Sequence, residues 1–211
     1  MARTEPFRTH TQQYEDWFVE YPAVYESELA ALRALIPADA RGVEIGVGSG
    51  LFAAPLGIGE GVEPAAEMAE RARRRGIEVT EGVAENLPLE SNTYDIALMV
   101  TTICFVDDLD ASVDEMARVL KPDGRIVFGF VDRESPLGEV YQRYKDQDPF
   151  YRHATFYSTA EVTEILERHG FTPERTLQTV HGMLDEITDP ETPQEGYGDA
   201  GFVAMSARKS D

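Results

Sequence analysis

The sequence is poor in cysteine and histidine, and it has no long hydrophobic run. Its single cysteine, Cys104, excludes an intramolecular disulfide and a cysteine-rich zinc site. The histidines are scattered, without the spacing of HExxH or related metal-ligand patterns, at His10, His153, His169 and His181. No apolar stretch approaches the roughly 20 residues of a membrane-spanning helix, and residues 1–10 lack the apolar core of a signal peptide. These absences predict a soluble, cytoplasmic protein with no metal site and no membrane span.

Positive charge is scarce as well. The chain has 19 Lys and Arg residues against 39 Asp and Glu residues, a formal net charge of -20, and lysine occurs only at Lys121, Lys145 and Lys209. Such a chain repels polyphosphates, so we expect no nucleic-acid partner. An acidic surface with few lysines is also typical of proteins adapted to high salt, although an acidic protein from an ordinary habitat fits equally well. A melting temperature that does not rise between low and molar KCl would reject the high-salt interpretation.

From residue 41 onward, short apolar runs alternate with stretches of helical periodicity. The 211 residues suffice for one domain. This alternation predicts an α/β fold with a doubly wound, mostly parallel sheet and helices on both faces. The last two strands are expected to form a terminal antiparallel hairpin. The seven predicted strands are 43–45, 61–63, 77–80, 94–100, 125–131, 174–180 and 201–207, and the main predicted helices are 64–75, 109–120 and 158–169.

The same patterns divide the chain into four segments. Residues 1–40 hold helical, aromatic-rich stretches punctuated by prolines, and they are predicted to form a small helical cap. Residues 41–132 carry the strand and helix alternation of a ligand-binding core. The alternation breaks in residues 133–157, which predicts an inserted lid, and residues 158–211 complete the core.

A glycine-rich turn follows the first predicted strand. It reads VEIGVGSG over residues 43–50, with glycines at Gly46, Gly48 and Gly50. Glycine lets a strand turn sharply and lets the backbone approach a ligand that a side chain would block. A mere tight loop would look similar, but the position between a strand and a helix favours ligand binding. A dinucleotide fingerprint needs a third small residue where Leu51 stands, which argues against NAD.

A carboxylate ends the second predicted strand. Glu63 lies in register with the glycine turn, and Pro64 fixes the chain direction after it. From there a carboxylate can accept hydrogen bonds from both ribose hydroxyls of a nucleoside, each contributing roughly 1.5–3 kcal/mol. The alternative is a solvated acid at a strand end, and the register with the glycine turn favours ribose binding.

Five motifs in order resemble those of one family, the class I S-adenosylmethionine-dependent methyltransferases. The similarity is strongest to the type 11 branch, which includes the ubiquinone and menaquinone biosynthesis C-methyltransferases. It extends over about residues 41–171 and implies a Rossmann-like fold, S-adenosylmethionine as cofactor and S-adenosylhomocysteine as product. The motifs are a glycine loop at 44–50, a ribose motif GVEP at 61–64, an adenine segment at 81–89, the strand opening YD at 94–95 and the turn RVLKPDG at 118–124.

The resemblance implies a role for particular residues. Glu44 would face the amino group of the cofactor, and Ala84 with Glu85 would edge the adenine. Val83 stands where the family commonly has an aspartate for the adenine amino group. Adenine recognition would then rest on backbone groups or on Glu85. The implied cofactor-binding residues are Glu44, Gly46, Gly48, Gly50, Glu63, Pro64, Ala84, Glu85 and Thr101.

No motif identifies the methyl acceptor or a catalytic residue. The Asn-Pro-Pro-Tyr signature of amide-nitrogen methyltransferases is absent, and residues 101–105 read TTICF instead. Cys104 within them is interpreted as a small buried thiol. The family forms its substrate lid from the regions equivalent to the N-terminal cap and the insertion, and aromatic rings receive a sulfonium well. The substrate and lid residues predicted on this basis are Tyr14, Trp17, Thr102 and His153, with Thr101 and Thr102 near the sulfonium.

The resemblance therefore predicts an enzyme that transfers a methyl group in line to a small-molecule acceptor. Such a reaction needs mainly positioning and exclusion of water, and it needs a base only if the acceptor is protonated. Two alternatives stay open: a non-catalytic S-adenosylmethionine-binding sensor or assembly module, and a nicotinamide-dependent oxidoreductase, which the glycine spacing disfavours. The sequence leaves the oligomeric state open.

Overall fold

The fold is built on one mixed β-sheet. The structure, a computed structural model, describes residues 4–210. The strands are β1 Gly42–Ile45, β2 Glu60–Val62, β3 Glu78–Thr80, β4 Tyr94–Val100, β5 Leu120–Val131, β6 Phe171–Thr179, β7 Gln194–Glu195 and β8 Phe202–Lys209. The helices are α1 Glu5–Thr9, α2 Thr11–Glu20, α3 Pro22–Arg33, α4 Ala53–Leu56, α5 Ala66–Arg74, α6 Leu109–Val119, α7 Pro136–Tyr144 and α8 Thr159–Arg168.

The sheet order is β3-β2-β1-β4-β5-β8-β6-β7. Strands β1 to β5 are parallel, and β8 pairs antiparallel with both β5 and β6. The predicted parallel, Rossmann-like sheet with antiparallel C-terminal strands is thus confirmed. Within residues 4–210 the sheet has eight strands and not the predicted seven, because Gln194 and Glu195 pair with β6 as a two-residue strand. Two exposed polar residues carry no alternating pattern, so the sequence could not reveal this strand.

Two apolar layers cover the two faces of the sheet. Helices α6 and α8 bury Val113, Met116 and Leu166 on one face. Helices α3 and α5 bury Leu29 and Ala72 on the other, so α3 packs directly on the sheet. The order of the strands reverses between β1 and β4, and ligands of open parallel sheets bind beyond the carboxyl ends of the strands at such a reversal. This edge is where the site is expected.

Several predicted boundaries coincide with the observed ones. Strand β4 occupies the predicted residues 94–100, and α6 begins at Leu109 as predicted. Helix α8 starts with a capping box in which Ser158 and Glu161 satisfy each other's backbone amides. Helix α5 begins at Ala66, two residues later than predicted, because Ala65 is still extended. Within residues 4–210, no helix has both the length and the apolar character needed to cross a membrane.

Candidate functional site

The glycine turn after β1 is built from left-handed backbone. Gly46, Gly48 and Gly50 have φ angles of 70°, 54° and 83°. Glycine adopts this region at little cost, whereas a side chain disfavours it. The amides of Gly46 and Val47 donate to the carbonyl of Val62 at 2.8 and 3.0 Å, which holds the turn against the end of β2. The turn is therefore a fixed backbone cradle at the carboxyl edge of the sheet.

Glu63 connects this turn to the start of α5. One carboxylate oxygen accepts a hydrogen bond from the amide of Gly48 at 2.9 Å, and the other accepts one from Ala65 at 2.8 Å. The residue is buried, and desolvation raises its pKa to about 7, although the two amide donors act in the opposite direction. Each carboxylate oxygen has a further lone pair. Glu63 can therefore also accept hydrogen bonds from the hydroxyls of a ligand.

Glu44 projects from β1 with one unsatisfied oxygen. The residue is 1% exposed, and its Oε2 finds no hydrogen-bond partner within the described part of the chain. Desolvation raises its pKa well above the ordinary value; the backbone of Ala53 opposes this shift, and the charge of Glu63 adds to it. A buried carboxyl without a partner is unfavourable. A cationic group of a ligand would remove that penalty, so Glu44 fits an ammonium group.

These groups line a central cavity of about 320 Å³. That volume lies within the usual range of small-ligand sites. The cavity brings together the predicted cofactor residues Glu44, Gly46, Gly48, Glu63, Pro64, Ala84, Glu85 and Thr101. It also brings together the predicted substrate residues Tyr14, Trp17 and Thr102.

Gly50 was expected among the cofactor residues, but it does not line the cavity. A Cβ atom at this position would lie 2.5 Å from Cδ1 of Ile77 and 3.2 Å from Cα of Ala72. The glycine is therefore required where the turn packs against α5, away from the ligand. The sequence could not separate the two reasons, because both demand the absence of a side chain.

His153 was expected in the lid, but it also lies outside the cavity lining. It is exposed at the end of a 3-10 turn, Tyr151–His153. The first residue of this turn, Tyr151, lines the cavity instead. The predicted region thus contributes to the cavity through an aromatic side chain and not through the histidine.

Thr101 and Thr102 connect the end of β4 to the glycine turn. Thr101 has a left-handed φ of 49°, and its amide donates to the carbonyl of Gly129 at 2.7 Å. The Thr102 hydroxyl donates to the carbonyl of Val100 at 3.0 Å and lies 3.3 Å from that of Gly46. A left-handed non-glycine residue costs of order 1–3 kcal/mol and is typical of functional sites. No residue pattern around Thr101 indicates this conformation.

Glu85 of the adenine segment lines the cavity and also holds a neighbouring connection in place. Its Oε1 accepts hydrogen bonds from the amides of Asp107 and Asp108 at 2.6 and 3.2 Å. The carboxylate therefore fixes the connection that leads into α6. Apolar surface for a flat ring comes instead from Val83 and Ala84, which both line the cavity.

Aromatic side chains from two segments close the cavity. The ring centroid of Phe150 lies 5.3 Å from that of Phe7 in α1 and 6.3 Å from that of Tyr14 in α2. Desolvation raises the pKa of Tyr14, and the charges of Glu44 and Glu63 raise it further, so its phenol is neutral. Residues of the predicted N-terminal cap thus contact a residue of the predicted lid insertion, and Tyr14 lies next to Gly48 of the glycine turn.

Ion pairs fasten α2 to α5 beside this closure. Glu15 pairs with Arg71, and its other oxygen lies 2.8 Å from Nη1 of Arg75. The same Nη1 donates to the carbonyl of Ser49 in the glycine turn at 2.9 Å. The position of α2 is therefore linked to that of the glycine turn through Arg75.

Many lining residues were not predicted from the sequence, among them Glu28 in α3, Tyr141 in α7 and Asp148. Glu28 is 5% exposed, and burial raises its pKa to about 8. It interrupts the apolar stripe of α3 formed by Val24 and Leu32. A carboxylate at a core-facing helical position was the available signal.

Every charged side chain in the described lining is acidic. Among the described lining residues none is Lys, Arg or His, whereas seven bear carboxyl groups: Asp16, Glu20, Glu28, Glu44, Glu63, Glu85 and Asp148. A cavity lined by one sign of charge concentrates ligands of the opposite sign. This cavity therefore favours a cation over an anion. Within residues 4–210, no group of three or more His, Cys, Asp or Glu side chains is arranged to hold a metal ion.

Comparisons with known proteins agree with this geometry. Residues 43–128 match the profile of a family described as a methyltransferase domain. The crystal structure of an S-adenosylmethionine-dependent methyltransferase from Thermotoga maritima, described as a possible histamine N-methyltransferase, is 45% identical. It has a TM-score of 0.96 and covers 98% of this chain and 100% of that one.

Two curated relatives extend the comparison. An uncharacterised protein of Methanocaldococcus jannaschii is 40% identical over 203 residues, 96% of this chain and 98% of the relative. The malonyl-[acyl-carrier protein] O-methyltransferase of Methylococcus capsulatus is 31% identical over 163 residues, 71% of this chain and 58% of the relative. The similarity to the Thermotoga protein spans both chains almost completely. This chain belongs to the class I S-adenosylmethionine-dependent methyltransferases.

Proposed function

We propose that the chain transfers the methyl group in line to a small acceptor bound in the central cavity. The observation that carries the proposal is the pairing of Glu63 with the glycine turn on one wall of a cavity that continues beyond both. Bound S-adenosylmethionine supplies a methyl group that its sulfonium has already activated. The protein therefore needs to bind, orient and exclude water more than it needs to activate.

Each wall of the cavity has a role in binding. The carboxylate of Glu63 accepts hydrogen bonds from the ribose hydroxyls, and Glu44 receives the amino group with its unsatisfied oxygen. The small side chain of Ala84 leaves room beside the adenine, and Thr101 and Thr102 lie towards the sulfonium. Burial, free lone pairs and the absence of basic side chains in the described lining support the roles of Glu44 and Glu63, and the family resemblance supports those of Ala84, Thr101 and Thr102.

We assign the part of the cavity beyond the glycine turn to the acceptor. This part is lined by Trp17, Phe105, Tyr141 and Tyr151. Their rings exclude water from the reacting atoms and present faces that attract a cation. A carboxylate or phosphate acceptor would meet acidic side chains and no basic side chain among the described lining residues. The description of the Thermotoga protein as a possible histamine N-methyltransferase makes amines the first acceptors to screen.

The alternative function is a sensor that binds S-adenosylmethionine without catalysis. The aromatic compartment, the part of the cavity lined by Trp17, Phe105, Tyr141 and Tyr151, favours the enzyme. A sensor would need no space next to the methyl group. Family membership leaves no support for the nicotinamide alternative.

Calorimetry and product analysis test the proposal together. The purified protein should bind S-adenosylmethionine and S-adenosylhomocysteine but not NAD. Mass spectrometry should detect one methyl group added to at least one member of a panel of amines, phenols and quinones. Gly48→Val serves as the inactive control, because a branched side chain at a left-handed position with a φ of 54° disrupts the cradle.

The outcomes separate the candidate functions. Binding of both nucleosides with methylated product, each lost in Gly48→Val, supports the enzyme. Binding without product across the whole panel would favour the sensor. Tight NAD binding with no response to either nucleoside would overturn the assignment of the cavity.

A further inference from the structure

Glu28 lies on the part of α3 that reaches the carboxyl edge of the sheet. A Cβ on Gly129 of β5 would lie 3.1 Å from Cδ2 of Leu32. Glu28 is one helical turn before Leu32, so it lies beside a neighbouring part of the strand. Glu28 and Val131, the last residue of β5, both line the central cavity. The helix thus places a carboxyl group at the sheet edge where the glycine turn lies.

Glu28 is buried, and its carboxyl group has no hydrogen bond or ion pair within residues 4–210. The residue is 5% exposed, and desolvation raises its pKa to about 8. A buried acid is rare in proteins unless it is paired. A carboxyl group kept in this state inside a ligand cavity points to a ligand that supplies the missing partner.

Two other acids of the cavity already accept hydrogen bonds from backbone amides. Glu63 accepts from two backbone amides, and Asp148 accepts from the amides of Phe150 and Tyr151 at 2.7 and 3.1 Å. The charge of Glu63 raises the pKa of Glu44, so these two acids act on the same part of the cavity.

The charge of Glu28 acts on two phenols of the cavity. It raises the pKa of Tyr14 and of Tyr141, both of which are raised mainly by desolvation. Tyr14 belongs to the closure over the glycine turn, and Tyr141 belongs to the aromatic compartment. Glu28 therefore lies where the cofactor half of the cavity meets the proposed acceptor half.

We infer that Glu28 is the acceptor-binding carboxylate and that the acceptor is a small primary or secondary amine held as its ammonium cation. This inference rests on the proposed methyl transfer. The ammonium would pair with Glu28 and contact the faces of Trp17 and Tyr141, an arrangement that aromatic rings and buried carboxylates both favour.

The same contact provides the proton transfer that the reaction needs. An ammonium has no free electron pair, so it must first lose a proton, and Glu28 accepts it. The nitrogen electron pair then forms a bond to the methyl carbon, while the carbon–sulfur bond breaks and its electrons remain on sulfur. The product is the methylated ammonium and the neutral thioether, and Glu28 returns its proton to water. Burial makes Glu28 a stronger base than an exposed glutamate.

A set of probes that differ mainly in charge tests the inference. The protein is saturated with S-adenosylhomocysteine and titrated with histamine, 2-phenylethylamine, 2-phenylethanol and phenylacetate. We compare the wild type, Glu28→Gln and Glu26→Gln. Glu26 is exposed on the same helix, so Glu26→Gln removes the same charge outside the cavity. Calorimetry gives the affinities, and methyl transfer to the amines gives kcat and KM.

The inference predicts a specific pattern. At least one amine binds the wild type more than tenfold more tightly than the alcohol or the acid, and Glu28→Gln removes that preference. In this variant KM for the amine rises and kcat falls at least tenfold, while the Kd of S-adenosylhomocysteine stays within twofold. Glu26→Gln behaves as the wild type does. Retained binding of the nucleoside shows that the variant is folded.

Three results would overturn the inference and leave the proposed function intact. They are unchanged amine affinity in Glu28→Gln, stronger binding of phenylacetate than of either amine, and failure of both amines to bind the protein loaded with S-adenosylhomocysteine. Failure of the wild type to bind S-adenosylhomocysteine would instead contradict the proposed function and remove the basis of the inference with it.

Discussion

Nucleoside affinity should fall steeply below pH 7 because of Glu63. Its pKa is raised to about 7, and both carboxylate oxygens already accept backbone amides. A proton on either oxygen would displace an amide or take the place of a ribose hydroxyl, so only the ionised form fits the ligand. With this pKa, about nine tenths of Glu63 is ionised at pH 8 and about one tenth at pH 6. The expected loss of affinity between these values is therefore about tenfold.

The probe for this measurement is 5′-methylthioadenosine. It keeps the ribose hydroxyls and adenine but lacks the ammonium group that Glu44 would receive, so the titration of Glu44 has less influence. Affinity is measured by calorimetry at intervals from pH 5.5 to 8.5, with circular dichroism at each pH to confirm the fold. Glu63→Gln is the matched variant, and 2′,3′-dideoxyadenosine is the matched ligand without hydroxyls.

Glu63→Gln should bind the probe at least tenfold more weakly at pH 8 and should lose most of the pH dependence. The dideoxy ligand should bind weakly to both proteins at every pH. A wild-type affinity that is constant between pH 8 and pH 6, or a tenfold dependence that survives in Glu63→Gln, would refute the ribose assignment.

Three further outcomes concern stability. The folded pKa of Glu28, about 8, lies above the unfolded value of 4.5, so the free energy of unfolding falls as the pH rises from 4.5 to 8. In urea unfolding, Glu28→Gln should therefore be more stable than the wild type by up to roughly 3 kcal/mol at pH 7 and by little at pH 4.5. Desolvation lowers the pKa of His169, but two aspartates of α6 at 2.6 and 2.7 Å outweigh it, so the net pKa is raised. Its contribution is full below pH 6.5 and is lost as pH rises through the folded pKa, and His169→Gln should be less stable than the wild type at pH 6 and similar at pH 9. Gly46→Ala should lower the melting temperature more than Gly57→Ala does. Both glycines have left-handed backbone, but the new Cβ at position 46 would lie 2.4 Å from Cγ2 of Thr102, whereas the new Cβ at position 57 has nothing within 4 Å.

The parts of the fold that the sequence predicted well are those whose signals are local. Strand β4 is a largely buried apolar run, and α6 is preceded by the N-cap residue Asp108, whose side chain accepts a hydrogen bond from the amide of Ala111. Each can be identified from a few neighbouring residues. The two-residue strand β7 is defined by its pairing with β6, and its own residues carry no pattern that predicts a strand.

The site divides in the same way. Gly46, Gly48 and Glu63 were predictable because the turn and the strand end impose their positions relative to each other. Glu28 comes from a helix before the core, and its relation to the cavity depends on how α3 crosses the sheet. His153 lies outside the cavity lining for a similar reason, since the short 3-10 turn directs the side chain of Tyr151 into the cavity instead. The domain boundaries and the high-salt interpretation stay predictions.

A crystal structure of the protein with S-adenosylhomocysteine tests the central claim most directly. We expect the ribose hydroxyls within hydrogen-bond distance of the Glu63 carboxylate, the amino group at Glu44 and the sulfur next to Thr101. Density for the nucleoside elsewhere, or a ribose that does not contact Glu63, would contradict the account.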